Sequence, residues 1–304
     1  MRAGVVGLGD MGSGLAKNLI AGGFATTGYD LSEQRMAALA EMGGATAASV
    51  AELGANADGV FVMVMNGDQA KAVILGQPGG AEGLVHTLKP GAVVILSATI
   101  IPEEAEAIAD GLDGSGILLV DTPVSGGFPG AQSGTLTMMA AGSDDAMERA
   151  APLMAAVSKS IHRVGSRPGM GQTVKACLQA LQGSFFAAVC ETSAMAAKAG
   201  VSGQVFSDVV NSSSAACGIT KAALENIIDR AFIGTGSHIN TMYKDLTIAL
   251  DLARALGVPL FTTATAMQLF QAGRTRHPDG DNWVVTRITE EIVGAELTRA
   301  GDQT

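Results

Sequence analysis

A glycine-rich turn near the amino terminus is the first feature of the sequence that could do chemistry. It consists of Gly7, Leu8, Gly9, Asp10, Met11 and Gly12. The turn follows the apolar run 3–6, which predicts a strand, and leads directly into a predicted helix at residues 11–21. In this context the glycines permit a tight bend, close approach to a pyrophosphate and close helix packing, and the free N–H groups of the helix attract an anion. The turn therefore predicts a binding site for a dinucleotide.

An aspartate at the end of the second predicted strand indicates which dinucleotide is bound. Asp30 follows the run 25–29, where a carboxylate can accept hydrogen bonds from ribose hydroxyls and repel a 2′-phosphate. The next residues are Leu31 and Ser32, so no arginine stands directly after it, although Arg35 is close enough to weaken the argument. The pattern predicts NAD as the cofactor, in preference to NADP.

Short apolar runs alternate with helical stretches through the first half of the chain. Besides the two strands above, such runs are found at residues 59–65, 92–96 and 117–120. The run 59–65 is apolar throughout, as expected of a strand that is covered on both faces. This alternation predicts a Rossmann-type, doubly wound parallel sheet with helices on both sides.

The second half of the chain has a different pattern, since no strand is predicted after about Arg167. Helices are predicted at residues 171–199, 202–211, 215–229, 238–256 and 261–272. Glycine and proline at positions 165, 168 and 169 interrupt the chain at the junction. We therefore expect an α/β fold, with a dinucleotide-binding domain at residues 1–166 and an all-α substrate and oligomerisation domain at residues 167–304.

The composition excludes several classes of protein. Hydrophobic residues make up 47% of the chain and charged residues 16%, which allows a large core. The net charge of −10 argues against nucleic acid and anionic membrane as partners. No apolar stretch reaches the roughly 18 residues of a membrane span, and no signal peptide is recognised. Three widely spaced cysteines and four histidines without metal spacing predict free thiols, no metal site and a cytoplasmic protein.

Three later segments are specific enough to carry a resemblance to a known family. Residues 121–127 read Asp-Thr-Pro-Val-Ser-Gly-Gly, residues 169–175 read Gly-Met-Gly-Gln-Thr-Val-Lys, and residues 244–246 read Lys-Asp-Leu. Together with the glycine turn, these motifs resemble, in order, those of the β-hydroxyacid dehydrogenase family, which includes 3-hydroxyisobutyrate dehydrogenase. In motif detail the sequence is most similar to the L-threonate dehydrogenase branch, where a glutamine follows the catalytic lysine.

The resemblance implies roles for residues outside the glycine turn. Lys175 would exchange the proton of the substrate hydroxyl, and partial burial between the two domains would lower its pKa toward the range of a useful base. Gln179 lies one helical turn later and would orient that hydroxyl. Substrate binding is expected at Ser125, Gly126, Gly127, Gln179 and Lys244. Further cofactor contacts are expected at Val64, Met65, Asn66, Thr99 and Lys244.

The function implied is hydride transfer between nicotinamide and a small 3-hydroxy acid such as 3-hydroxyisobutyrate, L-threonate or a similar sugar acid. Gln179 stands where many members of the family have asparagine, which puts simple 3-hydroxyisobutyrate in doubt. An imine reductase-like enzyme and a non-catalytic redox sensor remain alternatives, both disfavoured by Lys175. The substrate would be a small carboxylate, and the resemblance implies a homodimer or homotetramer.

Overall fold

A computed structural model describes residues 1–300. The chain divides into two compact units, one formed by Met1–Lys175 and one that begins at Ala176. The two units are considered separately below. This division falls within a long helix, whereas the sequence analysis places the domain boundary after residue 166, and that boundary stays a prediction.

The first unit is built from strands that alternate with helices. The strands are β1 (Arg2–Val6), β2 (Ala25–Tyr29), β3 (Ala45–Thr46), β4 (Gly59–Val62), β5 (Val93–Leu96), β6 (Leu118–Asp121), β7 (Val124–Ser125), β8 (Leu136–Ala141) and β9 (Ser158–Gly165). The helices that lie wholly in this unit are α1 (Asp10–Ala21), α2 (Glu33–Glu41), α3 (Val50–Ala55), α4 (Gly67–Leu75), α5 (Pro102–Leu112), α6 (Gly127–Ser133) and α7 (Asp144–Val157).

The strands form one sheet in the order β3-β2-β1-β4-β5-β6-β8-β7, and β9 pairs with β8. From β3 to β6 every pairing is parallel. From β1 the chain builds the sheet outward in one direction through β2 and β3, and from β4 it builds the sheet in the other direction. Open α/β sheets bind ligands at the carboxyl ends of the strands beside such a change of direction. The predicted Rossmann-type sheet is confirmed.

Both faces of the parallel strands are buried. Val5, Phe61 and Ile95 belong to one apolar cluster, whereas their neighbours Val6 and Val62 belong to another. Because successive strand residues point to opposite faces, each strand contributes to two cores. This explains why the sequence of β4 and β5 is apolar without alternation.

The far edge of the sheet differs from the prediction. β8 pairs antiparallel with β6 and β7 and parallel with β9. The strands β7, β8 and β9 are not predicted from the sequence, whereas β6 is. The predicted strand 59–65 was too long, because β4 ends at Val62. The neighbouring strand β1 ends at Val6. The Met63 N–H donates to the Val6 carbonyl, and beyond this bond β1 has no residue left to pair with the chain after β4.

The second unit is helical throughout its described part. Helix α8 (Met170–Lys198) enters it from the first unit, and it is followed by α9 (Gly203–Ser212), α10 (Gly218–Ile228), α11 (Ile239–Ala255), α12 (Phe261–Arg276) and α13 (Val285–Val293). Their core contains Leu224, Leu246 and an aromatic group in which the Phe186 ring packs edge-on against Phe270 and Trp283. The predicted all-α region is confirmed. Within residues 1–300, no helix is long and apolar enough to cross a membrane.

Candidate active site

The glycine turn between β1 and α1 leaves no room for side chains at two of its three glycines. Gly7 has a φ of +87°, and its N–H donates to the Tyr29 carbonyl over 2.9 Å. A Cβ atom at Gly12 would lie 1.7 Å from the Gly7 carbonyl oxygen, which requires the backbone to move. These glycines are therefore needed to close the turn itself.

Gly9 is different, because the space beside it is open. A Cβ atom there would meet only the Arg35 guanidinium, at 3.9 Å. The backbone of this residue is accessible, as a close approach by a pyrophosphate requires. The residues present thus fit a dinucleotide, with the N-terminus of α1 facing its anionic group.

Asp30 is tied to the glycine turn rather than projecting freely. Its Oδ2 atom accepts the Leu8 N–H over 2.7 Å, and its Oδ1 atom accepts the Ser32 N–H over 2.9 Å. The Arg35 Nη1 atom lies 3.4 Å from Oδ2. The same Nη1 atom lies 3.5 Å from Oδ1, so each oxygen has two donors beside it. The carboxylate therefore sets the shape of the turn.

The other predicted cofactor residues follow strands β4 and β5 at the same edge of the sheet. Val64, Met65 and Asn66 form the link from β4 to α4, where the Asn66 side chain caps the helix by accepting the Gln69 N–H over 2.9 Å. The Met65 N–H donates to the Gln69 Oε1 atom, also over 2.9 Å. Thr99 is half-buried in the loop after β5. These loops and the glycine turn lie at the carboxyl ends of adjacent strands.

The predicted substrate segment begins on β7, where Ser125 pairs with Thr137 of β8. Gly126 and Gly127 follow with φ values of +128° and +57°, and Gly127 is the first residue of α6. Both φ values lie in the region that favours glycine. The two glycines expose their backbone beside the Ser125 hydroxyl, a combination that can bind an anion.

A buried carboxylate that the sequence analysis does not assign lies at the end of β6. Asp121 is fully buried, and its Oδ2 atom accepts the N–H groups of Gly169, Gly171 and Gln172 over 2.8, 3.0 and 3.3 Å. Its Oδ1 atom accepts the Gln172 Nε2–H over 2.7 Å. Asp121 therefore caps the start of helix α8 from a neighbouring strand.

The Gln172 side chain extends this arrangement to the loop after β5. Its Nε2 atom also donates to the Ala98 carbonyl over 3.1 Å, and its Oε1 atom accepts the Ile100 N–H over 3.0 Å. We call Asp121, Gln172 and the backbone groups that they bind the Asp121 cluster. Burial raises the pKa of Asp121 to about 6, against the lowering effect of the hydrogen bonds from Gln172, Gly169 and Gly171.

Helix α8 carries both Lys175 and Gln179, one turn apart, and both side chains are buried. In the second unit, the Gln179 Nε2–H donates to the Asp245 Oδ2 atom over 2.6 Å. The Lys244 Nζ atom lies 3.0 Å from the other oxygen of the same carboxylate. Gln179 and Lys244, both predicted to bind substrate, are thus brought together through Asp245.

Two family models match the chain. The NAD-binding domain of 6-phosphogluconate dehydrogenase matches residues 2–165. The domain described as the NAD-binding part of NADP-dependent 3-hydroxyisobutyrate dehydrogenase matches residues 169–288. Between them the matches cover both units.

Full-length relatives agree with these matches. L-Threonate dehydrogenase of Escherichia coli strain K12 is 37% identical over 294 residues, which is 95% of each chain. L-Threonate dehydrogenase of Cupriavidus necator is 36% identical over 94% of this chain and 95% of that one. The crystal structure of a 3-hydroxyisobutyrate dehydrogenase from Salmonella typhimurium superimposes with a TM-score of 0.86 at 33% identity, covering 95% of this chain and 99% of that one.

This chain belongs to the β-hydroxyacid dehydrogenase family.

Membership in the β-hydroxyacid dehydrogenase family confirms the predicted class of activity, an NAD(P)-dependent dehydrogenase of hydroxy acids. Neither an imine reductase nor a non-catalytic sensor is favoured by these matches. The family models do not separate NAD from NADP.

Asp121 and Gln172 of this β-hydroxyacid dehydrogenase belong to the motifs found in the sequence, but no role was predicted for either. A signal for Asp121 was present, because a charged residue directly ends an apolar strand. Its partners could not be inferred, since they lie about fifty residues further along the chain. Asp245 lies in the Lys-Asp-Leu motif, and the structure shows its bond to Gln179.

Proposed function

We propose that this β-hydroxyacid dehydrogenase acts on a small hydroxy acid with more than one hydroxyl group, a sugar acid of the L-threonate kind, and that it uses NAD. The observation that carries the proposal is the orientation of the Gln179 side chain. The similarity to L-threonate dehydrogenases of two bacteria supports the same class of substrate.

Asp245 determines which end of the Gln179 amide is available. An ionised carboxylate can only accept hydrogen bonds, so the Nε2 atom must face it and the Oε1 atom must point away. Among residues 1–300, the buried Oε1 atom has no hydrogen-bonding partner. A buried acceptor of this kind favours a ligand that donates, and hydroxyl groups are the donors of a sugar acid.

The remaining residues supply the chemistry that a hydroxy acid requires. Ser125, Gly126 and Gly127 bind the carboxylate through a hydroxyl and backbone N–H groups. The Lys175 Nζ atom takes the proton of the reacting hydroxyl as the alcohol becomes a carbonyl, and it returns the proton in the reverse direction. Nicotinamide, when bound, accepts the hydride that leaves the same carbon.

The preference for NAD rests on Asp30. A 2′-phosphate would bring a second negative group to a carboxylate that already accepts two backbone N–H groups. Arg35 lies beside Asp30 with an exposed side chain and partly offsets this repulsion. A ratio of kcat/KM for the two cofactors that favours NAD supports the proposal, and a clear preference for NADP contradicts it.

A substrate panel with a matched pair of variants tests the proposed substrate. Turnover is measured with L-threonate, glycerate, tartrate and 3-hydroxyisobutyrate for the unmodified chain and for Gln179→Asn. We expect L-threonate or another polyhydroxy acid to have the highest kcat/KM. We expect Gln179→Asn to lower that value by about 10-fold, because a shorter amide loses a hydrogen bond worth about 1–1.5 kcal/mol.

The control is Gln271→Asn, the same chemical change at an exposed position of α12, where it should leave kcat/KM unchanged. Preference for 3-hydroxyisobutyrate in the unmodified chain, or equal effects of the two variants, contradicts the proposed substrate class.

The domain bounds, the oligomeric state and the cellular location predicted from the sequence are also part of this proposal. Residues 1–166 form the cofactor domain, and residues 167–304 form the substrate and oligomerisation domain of a homodimer or homotetramer that acts in the cytoplasm. Light scattering of the purified chain measures the oligomer, and a monomeric mass contradicts that part.

A further inference from the structure

We infer that Asp121 and Gln172 are positioning residues, which align the helix that carries Lys175 with the loop that carries Thr99. The inference deepens the proposed function and rests on it, because it assigns a purpose to two buried residues that do not take part in the reaction. It is carried by the hydrogen bonds of the Asp121 cluster, all of which lie within the first unit.

The cluster joins three segments of the chain, each of which contains or closely precedes a proposed functional residue. Asp121 stands four residues before Ser125, and its carboxylate binds the start of α8. Gln172 is one turn of helix before Lys175, and its amide bridges to the backbone at Ala98 and Ile100, on either side of Thr99. A shift at any of the three contacts would therefore displace a functional residue.

The hydrogen bonds of the cluster require an aspartate at position 121 and fix the orientation of the amide at position 172. All four groups that bind Asp121 are N–H donors, so the position requires a side chain that only accepts. Asparagine would place its NH₂ group against donors in either orientation. The Gln172 amide is fixed in the same manner, because turning it over would set its oxygen against the Ala98 carbonyl and its nitrogen against the Ile100 N–H.

Close packing prevents the helix start from adjusting. A Cβ atom at Gly171 would lie 2.5 Å from the Met139 carbonyl oxygen and 2.8 Å from that of Asp121. Gly169 has a φ of +89° at the bend that precedes α8. The first turn of α8 thus rests directly on strands β6 and β8, and the Asp121 carboxylate determines where that turn sits. A carboxylate at a helix N-terminus is also favoured by the helix dipole.

The test compares Asp121→Asn and Gln172→Met with the unmodified chain, using turnover per NAD-binding site. Sites are counted by NAD titration, so a loss of folded protein does not alter the result. We expect kcat per site to fall by about 10-fold to 100-fold in both variants, the effect of a misplacement near 1 Å. The Kd for NAD should rise by a smaller factor than kcat falls, because the Thr99 loop is displaced while the glycine turn is not part of the cluster.

Two reference variants separate the possible outcomes. Asp58→Asn removes a carboxylate of the same unit that accepts the Arg2 N–H and guanidinium, and it should leave kcat per site unchanged. Lys175→Ala is measured in parallel. If Lys175→Ala is inactive while both cluster variants retain kcat within twofold, the positioning role is wrong and the proposed function stands.

If Lys175→Ala keeps its turnover, or the unmodified chain turns over no hydroxy acid, the proposed function fails and the positioning role fails with it. Equal losses in Asp58→Asn and the cluster variants also overturn the inference, because the effect on kcat is then not specific to the cluster. Where Asp121→Asn does not fold, Gln172→Met alone decides, since it removes the bridge to the Thr99 loop and keeps the Asp121 carboxylate.

Discussion

The glycine turn and the Asp121 cluster position a site by opposite means. The turn is held by close contacts between backbone atoms, because Gly7 and Gly12 lie too near other backbone atoms to carry a Cβ atom. The cluster works by burying a charged side chain among donors that come from distant parts of the chain. The comparison shows that rigidity at a site can come from close backbone contact or from a saturated carboxylate.

The first prediction addresses the turn, where the largest effect is expected. Gly12→Ala places a Cβ atom 1.7 Å from the Gly7 carbonyl oxygen, so the turn must open. Strain from such overpacking is worth 1–3 kcal/mol, and we expect the Kd for NAD to rise by up to about 100-fold. Fluorescence titration with NAD measures the change.

Two glycine variants act as controls for that result. Gly218→Ala has no neighbour within 4 Å of the added Cβ atom and should bind NAD normally. Gly9→Ala should keep its melting temperature and still lose affinity for NAD, because the new methyl group would meet the Arg35 guanidinium only at van der Waals distance, 3.9 Å, and would obstruct the ligand. Normal NAD binding by Gly12→Ala would contradict the role given to the turn.

The second prediction concerns the carboxylate that shapes the turn. Asp30→Asn weakens the acceptor for the Leu8 and Ser32 N–H groups and removes the ion pair with Arg35. Hydrogen bonds to a charged group contribute about 1.5–3 kcal/mol, so we expect the Kd for NAD to rise by about 10-fold or more. Asp58→Asn, which loses a similar set of contacts elsewhere, is the control. An equal Kd in both variants would show that Asp30 does not act through the turn.

The third prediction is an increase in stability toward acid pH that comes from the Asp121 carboxylate. Asp121 has a pKa of about 6 in the folded chain, above its ordinary value near 3.8, so the folded state binds more protons between these values. The free energy of unfolding should therefore increase as the pH falls from 7 to 5, by on the order of 1 kcal/mol from this group. Urea denaturation at several pH values measures it.

Asp121→Asn should lack this increase, and the difference between the two chains isolates the carboxylate from other groups. One such group is His277, whose pKa is lowered by burial and by Arg287, and which therefore acts in the opposite direction. The same slope in both chains would mean that Asp121 does not titrate in this range.

Much of the molecule could be predicted from the sequence because the relevant signals are local. The β2 strand is predicted with its observed bounds, and the glycine turn, Asp30 and the helical second half follow from short patterns. The strand β9 could not be predicted, since it is a largely exposed run of mixed residues that pairs with β8. Partners that are far apart in the chain, such as Asp121 with Gln172 and Gln179 with Asp245, have no local signal.

The most direct test of the account is the turnover of Lys175→Ala with a polyhydroxy acid and NAD. Lys198→Ala, at the other end of the same helix, is the control. If Lys175 exchanges the proton, kcat should fall by at least about 100-fold while the Kd for NAD stays within about threefold. A Lys175→Ala chain that binds NAD and retains near-normal turnover would contradict the assignment of Lys175 and the mechanism built on it.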